Sequence, residues 1–354
     1  MTPLGELLRS QIEKDGPIPV HDFMKMALGH PELGYYAQRE PFGETGDFIT
    51  APEVSQMFGE LIGLWAVDVW AKLGGPTKFH LVELGPGNGT LMTDILRSAR
   101  IAPEFLSSAT IHLVETSARL RKKQADALAD HNVTWHEELP TLSGAPVILL
   151  ANEFFDALPI RQFVFTGGRW FERLVTWQNG GFEYTKSARP SDLKDAPEAK
   201  EGDIYERCPD GEALIGRLSN LLRQEGGAAL IIDYGAEDAL IGDSFQAVRG
   251  HRPVDPLVAP GEADLTAHVK FAIFKKIALS QGVTVQGPTP QGRFLERLGI
   301  EARHYMLRKE ATEAQKKKLD AQFRRLISAK EMGTLFKAMA LSHNMAAAGE
   351  GFGN

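Results

Sequence analysis

The stretch Val82-Glu83-Leu84-Gly85-Pro86-Gly87-Asn88-Gly89-Thr90 constrains the fold more than any other part of the chain. The apolar run Phe79-His80-Leu81-Val82 ahead of it predicts a short buried strand, and Thr90-Leu91-Met92-Thr93-Asp94-Ile95-Leu96-Arg97 behind it predicts a helix. A strand, a glycine turn and a helix start make a ligand platform. Glycines let the backbone approach a ligand, and the free amides of a first helical turn point at it. The glycines fall at 85, 87 and 89, in the spacing E-x-G-x-G-x-G. A dinucleotide fingerprint would put its third glycine at 90, where this chain has Thr90. That spacing, with Glu83 two residues before the first glycine, favours S-adenosylmethionine over NAD. A glycine turn of purely steric origin is the plainer alternative.

The next strand strengthens the ligand reading. Thr110-Ile111-His112-Leu113-Val114 ends in Glu115, at the distance downstream that a ribose-binding acid needs in a β-α-β unit. A carboxylate at a strand tip can accept hydrogen bonds from both ribose hydroxyls, although it can also be a surface glutamate that opens a helix. The loop amides suit the carboxylate of the cofactor's methionine part, and Glu83 suits its ammonium, directly or through water.

From 78 to about 160 the pattern alternates strand and helix (79–84, 90–99, 111–115, 117–129, 133–135, 146–151), which predicts a doubly wound, mostly parallel α/β sheet. Residues 1–75 read as a helical or lid segment around a loop from Gly43 to Pro52, with a broad apolar face over 56–73. Thr2-Pro3, a cap and a first-turn proline, makes the N-terminus read as structure and not as a leader. Residues 161–210 read as an antiparallel insertion, opened by a hairpin that turns at Gly167-Gly168. The α/β pattern resumes over 211–345, with a helix at 211–224 and the strand Ala228 to Asp233. A long loop at 235–264 follows, then helices near 266–280, 291–298 and 311–328, a strand from Leu335 to Leu341, and a flexible tail at 346–354.

Three further segments carry candidate chemistry. Asn152, Glu153 and Asp156 follow the strand Val147-Ile148-Leu149-Leu150, at the end where such sheets bind ligands; helix capping is an equal alternative. Gly46-Asp47-Phe48-Ile49-Thr50-Ala51-Pro52-Glu53 can fold over the pocket as a lid, or form a turn with Thr50 capping ahead of Pro52. Gly261 to Val269 places Asp264 as a helix cap and His268 one turn inside that helix. The ten histidines show no metal spacing, and no metal is expected. The net charge of −7 gives no footprint for nucleic acid, and no run is long enough to insert in a membrane. A single cysteine and this composition fit a bacterial cytoplasmic enzyme.

The segments GDFITAPEVSQMFGE (46–60), VELGPGNGTLMTDILR (82–97), ANEFFDALPIRQF (151–163), LIIDYG (230–235), GEADLTAHV (261–269), QGRFLERLGI (291–300) and MGTLFKAMAL (332–341) resemble the MidA family. That group includes the mitochondrial complex I assembly methyltransferase and its bacterial relatives, and the resemblance spans nearly the whole chain. The sequence departs from the family pattern at Lys270, where an acid commonly follows the His-Val pair, and at Pro288-Thr289-Pro290. The resemblance implies a Rossmann-like class I S-adenosylmethionine-dependent methyltransferase. It implies a protein substrate, with arginine methylation of a complex I subunit as the activity associated with the mitochondrial member.

On this reading Glu83, Gly85, Pro86, Gly87, Gly89, Glu115 and Asn152 bind the cofactor. Asp47, Thr50, Glu53 and His268 become pocket residues. Glu153 is the expected guanidinium clamp, with Asp156 or Asp47 as second acid, because paired carboxylates hold the guanidinium fork and leave one nitrogen electron-rich. A methyltransferase for small molecules or other protein nitrogens is the alternative, as is a non-catalytic assembly chaperone that keeps the fold as a docking surface.

Overall fold

Seven strands form the continuous path of the sheet behind the glycine turn: β1 (Phe79–Leu84), β2 (Ala109–Val114), β3 (Val133–His136), β4 (Val147–Asn152), β5 (Gly227–Ala236), β6 (Thr284–Pro290) and β7 (Phe336–His343). In this computed structural model, which describes residues 1–38, 49–238, 240–345 and 349–353, their order is β3-β2-β1-β4-β5-β7-β6. Strands β1 to β5 run parallel, and β7 is antiparallel to both β5 and β6. Leu81, Val82, Leu113, Ile148, Leu149 and Ile231 are buried, as the central strands of a sheet covered on both faces require. Strand order reverses between β1 and β4, and there an open α/β sheet leaves a crevice beyond its carboxyl ends. This is the expected Rossmann-like, doubly wound fold.

The helices that position the crevice are α1 (Ala51–Val54), α2 (Gln56–Lys72), α3 (Thr90–Ser98) and α4 (Ala118–Ala127). Met57, Phe58, Leu61, Ile62, Trp65, Ala66 and Val69 of α2 are all buried in the core shared with β1 and α3. Each of the larger ones contributes about 1.5–3 kcal/mol by leaving water. Trp70 is half-buried and donates its indole N–H to Pro76 O at 3.0 Å.

The chain divides into two compact units, Met1–Phe48 with Phe155–Leu214 and Ala236–Ala272, and Ile49–Phe154 with Ile215–Gly235 and Ile273–Asn354. The sheet above belongs to the latter. In the former, the hairpin Arg161–Thr166 and Arg169–Gln178 turns through Gly167 (φ 57°) and Gly168 (φ 76°), where a two-residue hairpin turn needs left-handed backbone. Gly181–Lys186, Ile204–Arg207 and Ile18–Pro19 complete its sheet. Thr2 caps the helix Pro3–Asp15 by accepting the Gly5 N–H at 3.0 Å.

Three expectations need correction. The loop at 235–264 holds a small antiparallel sheet of Gln246–Arg249, Arg252–Val254 and Asp264–Thr266. The helix placed near 266–280 starts only at Phe271, because Asp264–Thr266 is spent on pairing with Gln246–Val248. Asp264 is therefore a strand residue, and His268 lies between two short strands. The helix Ile300–Lys309 and strand β6 were not anticipated.

Strands β1, β2 and β3 also align three imidazoles. His80 Nδ1 lies 3.0 Å from His112 Nε2, and His112 Nδ1 lies 3.0 Å from His136 Nε2. Burial, then the neighbouring His80 and His136, push the His112 pKa down to about 4. Below about pH 6.5 the unfolded chain takes up a proton that folded His112 refuses until about pH 4. Stability is expected to fall as pH drops through that window, by up to about 3 kcal/mol from this residue. Urea titrations at pH 7, 5.5 and 4.5 should show a flatter slope for His112→Gln; an unchanged slope would remove His112 as the source.

Candidate active site

Beyond the carboxyl end of β1 the chain turns through Gly85, Gly87 and Gly89, with φ angles of 61°, 54° and 82° in the left-handed region. At Gly85 space is also lacking, since a Cβ there would lie 2.7 Å from Cδ2 of Phe154. The turn is fastened by Gly85 N–H to Val114 O at 3.0 Å and by Gly89 N–H to Pro86 O at 2.7 Å. Gly89 is the N-cap of α3 and has no side chain of its own to cap the first-turn amides. These amides and the positive end of the helix dipole favour an anion.

Glu83 is 3% exposed. The Met92 N–H in the first turn of α3 bonds its carboxyl, while Oε2 has no partner among the described residues. Burial pushes its pKa up to about 8, against the weaker pull of that N–H. A cation placed against it would draw the proton off.

Glu115 follows β2 and is almost wholly buried. Neutral donors hold its carboxylate: Ser117 N–H reaches Oε1 at 2.8 Å and Gln124 Nε2 reaches Oε2 at 3.2 Å. Burial raises its pKa, opposed by these hydrogen bonds. Arg121 sends its Nε–H to the Glu115 carbonyl, at 2.6 Å.

Glu53 of α1 is fastened to the glycine turn. Its Oε1 accepts from Asn88 Nδ2 at 3.2 Å and from Thr90 Oγ1 at 2.6 Å. Thr50 is the N-cap of α1 but makes no side-chain capping bond. A carboxylate from β4 reaches that helix start: Glu153 Oε1 accepts the Ala51 N–H at 2.7 Å and Asn152 Nδ2 at 3.2 Å. Glu153 holds left-handed backbone at φ 51°, which costs a non-glycine residue about 1 kcal/mol or more. Its N–H is tied to Ile232 O at 2.8 Å. Asn152 Oδ1 is buried with no partner among the described residues.

Around one crevice, then, stand Glu83, Gly85, Pro86, Gly87, Gly89, Glu115, Asn152, Glu153, Thr50 and Glu53. Asp156 and His268 belong to the other unit. There the Asp156 carbonyl accepts the Ala267 N–H at 3.0 Å, and His268 N–H donates to Ser244 Oγ at 2.9 Å. His268 lines a cavity of about 360 Å³ with Asp243, Ser244 and Lys270, and burial, then Lys270, lowers its pKa. Lys270, the departure from the family pattern, is buried in an ion pair with Glu206 at 2.9 Å. Asp47 lies outside the described residues.

The sequence reading passed over Gln124, Asn88 and Thr90. For Gln124 a signal existed. It sits at helical spacing between Leu120 and Leu128, so a polar amide occupies a buried apolar stripe. Among the described residues no group of three or more His, Cys, Asp or Glu could hold a metal ion, and no helix is long and apolar enough to cross a membrane.

The chain is similar to known methyltransferases. A family model described as "Putative S-adenosyl-L-methionine-dependent methyltransferase" matches residues 61–289. "Protein arginine methyltransferase NDUFAF7 homolog, mitochondrial" of Drosophila melanogaster is 37% identical over 379 residues, covering 98% of this chain and 86% of that protein. "Protein arginine methyltransferase NDUFAF7, mitochondrial" of Homo sapiens is 36% identical over 371 residues, covering 96% and 83%. A Burkholderia thailandensis crystal structure bound to S-adenosyl-homocysteine has a TM-score of 0.84 at 27% identity, covering 98% of this chain and 93% of that one.

Proposed function

As the chain belongs to the MidA family of S-adenosyl-L-methionine-dependent methyltransferases, we propose that it methylates an arginine nitrogen of a protein, a respiratory complex I subunit being the acceptor. The observation that carries the arginine reading is Glu153. It is a carboxylate at the tip of β4, beside the glycine turn, in strained backbone and fixed by the Ala51 N–H. The names of the relatives, protein arginine methyltransferases matched over nearly the full chain, support the same acceptor chemistry. The bacterial cytoplasm is the proposed location.

S-adenosylmethionine supplies a methyl group on a positively charged sulfur. The chain's own residues do the rest. Glu83 and the amides after Gly89 fit the ammonium and carboxylate of the methionine part, and Glu115 fits the ribose. Asn152 Oδ1, a buried acceptor, fits a further donor of the nucleoside. Glu53 holds Asn88 and Thr90 and so keeps the turn in shape. Glu153 orients the guanidinium and draws its positive charge onto the nitrogens it holds, so that the nitrogen turned toward the methyl group is left electron-rich and attacks it as the sulfur leaves.

Purified protein incubated with methyl-labelled S-adenosylmethionine and a bacterial protein extract tests this. Acid hydrolysis of the labelled protein is expected to return the label as methylated arginine. Label recovered as methyl-lysine, or only in small molecules, would move the acceptor to another nitrogen class while leaving the cofactor site intact.

A further inference from the structure

Gln124 is completely buried, yet all of its amide chemistry is used. Nε2 donates to Gly87 O at 2.8 Å and to Glu115 Oε2 at 3.2 Å, and Oε1 accepts from Trp135 Nε1 at 2.9 Å. The amide's orientation follows from its partners. The carbonyl and carboxylate oxygens can only accept, and the indole N–H can only donate. One side chain on α4 thus joins the glycine turn, the acid after β2 and the tryptophan of β3. The packing is close there as well, since a Cβ at Gly89 would lie 3.5 Å from Cα and Cγ of Gln124.

We infer that Gln124 is a positioning residue for the cofactor, acting through the Glu115 carboxylate, which it orients from an amide anchored on Gly87 O. This rests on the reading that Glu115 holds the ribose. A carboxylate has about four acceptor directions. The Ser117 N–H and Gln124 take two, and the Thr116 N–H also pulls on the carboxylate, so the Gln124 bond helps to set which direction is left for a ribose hydroxyl. A neutral amide serves here better than a cation would, because it fixes the carboxylate without neutralising it. A leucine at 124 would satisfy the apolar stripe but leave Gly87 O, Glu115 Oε2 and Trp135 Nε1 without this partner.

The test is a double-mutant cycle read by calorimetric binding of S-adenosylhomocysteine, with unliganded thermal unfolding of every variant as the folding control. Glu115→Ala is expected to weaken binding about a hundredfold and Gln124→Met about tenfold. The double variant should bind no more weakly than Glu115→Ala alone. If the tenfold loss reappears in full on the Glu115→Ala background, Gln124 acts only as packing and the inference is overturned. If Glu115→Ala binds like the parent, the ribose reading fails first, and Gln124 has nothing to position.

Trp135→Phe carries the test should Gln124→Met not fold, because it loosens the amide without touching its two donors. A roughly threefold loss of affinity, absent on the Glu115→Ala background, is expected. Unchanged affinity would overturn the inference.

Discussion

Binding of S-adenosylhomocysteine near pH 7 is expected to release close to one proton per molecule bound, and Glu83→Gln to abolish that release while weakening binding at least tenfold. Burial pushes the Glu83 pKa up to about 8, so about nine in ten ligand-free molecules carry the proton at pH 7. Oε2 has no partner among the described residues. An ammonium arriving there meets a buried carboxyl whose ionised form it stabilises, and the proton leaves. Affinity should then rise with pH, about tenfold per unit between pH 5.5 and 7.5. For the ligand-free protein the sign is opposite. Unfolded Glu83 ionises near 4.5 and folded Glu83 only near 8, so its contribution to stability falls as pH rises through that window. Titration in phosphate and in Tris gives the proton count from the difference in heats. Heats that do not depend on the buffer would show that Glu83 does not meet the ammonium in protonated form.

The cofactor half of the site was legible because it is written in local rules. Glycines at 85, 87 and 89 take left-handed backbone between a strand and a helix, and Glu83, Glu115 and Glu153 stand at or just past the carboxyl ends of largely apolar strands. Strand order then follows from the alternation of strand and helix, which brings the tips of β1, β2 and β4 to one edge. Glu53 was harder. Nothing near it in sequence says that its carboxylate turns to Asn88 and Thr90, more than thirty residues away.

The misses share a physical cause. Strands of three or four residues, such as Arg252–Val254 and Asp264–Thr266, are too short to show a period and exist only through non-local pairing. His268 was consequently placed in a helix. Strand β6 contains Gly287, Pro288 and Pro290 and shifts register between Gln286 and Thr289, so its composition argued for a turn. The helix Ile300–Lys309 buries only Ile300 fully and therefore carries no apolar stripe to read.

The largest effect is expected at Glu153. Glu153→Gln should lower methyl transfer to protein by a thousandfold or more, about 4 kcal/mol in the barrier, while S-adenosylhomocysteine affinity stays within a few fold. The substitution keeps the length of the side chain, and a glutamine oxygen can still accept the Ala51 N–H that Glu153 Oε1 now accepts at 2.7 Å. The left-handed backbone at φ 51° and the bond from its N–H to Ile232 O are also retained. Only the charge is lost. A guanidinium is a poor nucleophile because its cation is delocalised and its pKa lies above 12. A bidentate carboxylate both orients it and biases the charge away from the attacking nitrogen, and a neutral amide does neither well. Turnover and binding must therefore be measured on the same preparation. Loss of both together would place Glu153 in the nucleoside site. Methylation that persists in the variant would shift the clamp to another acid, and the strain at φ 51° would then need a different purpose.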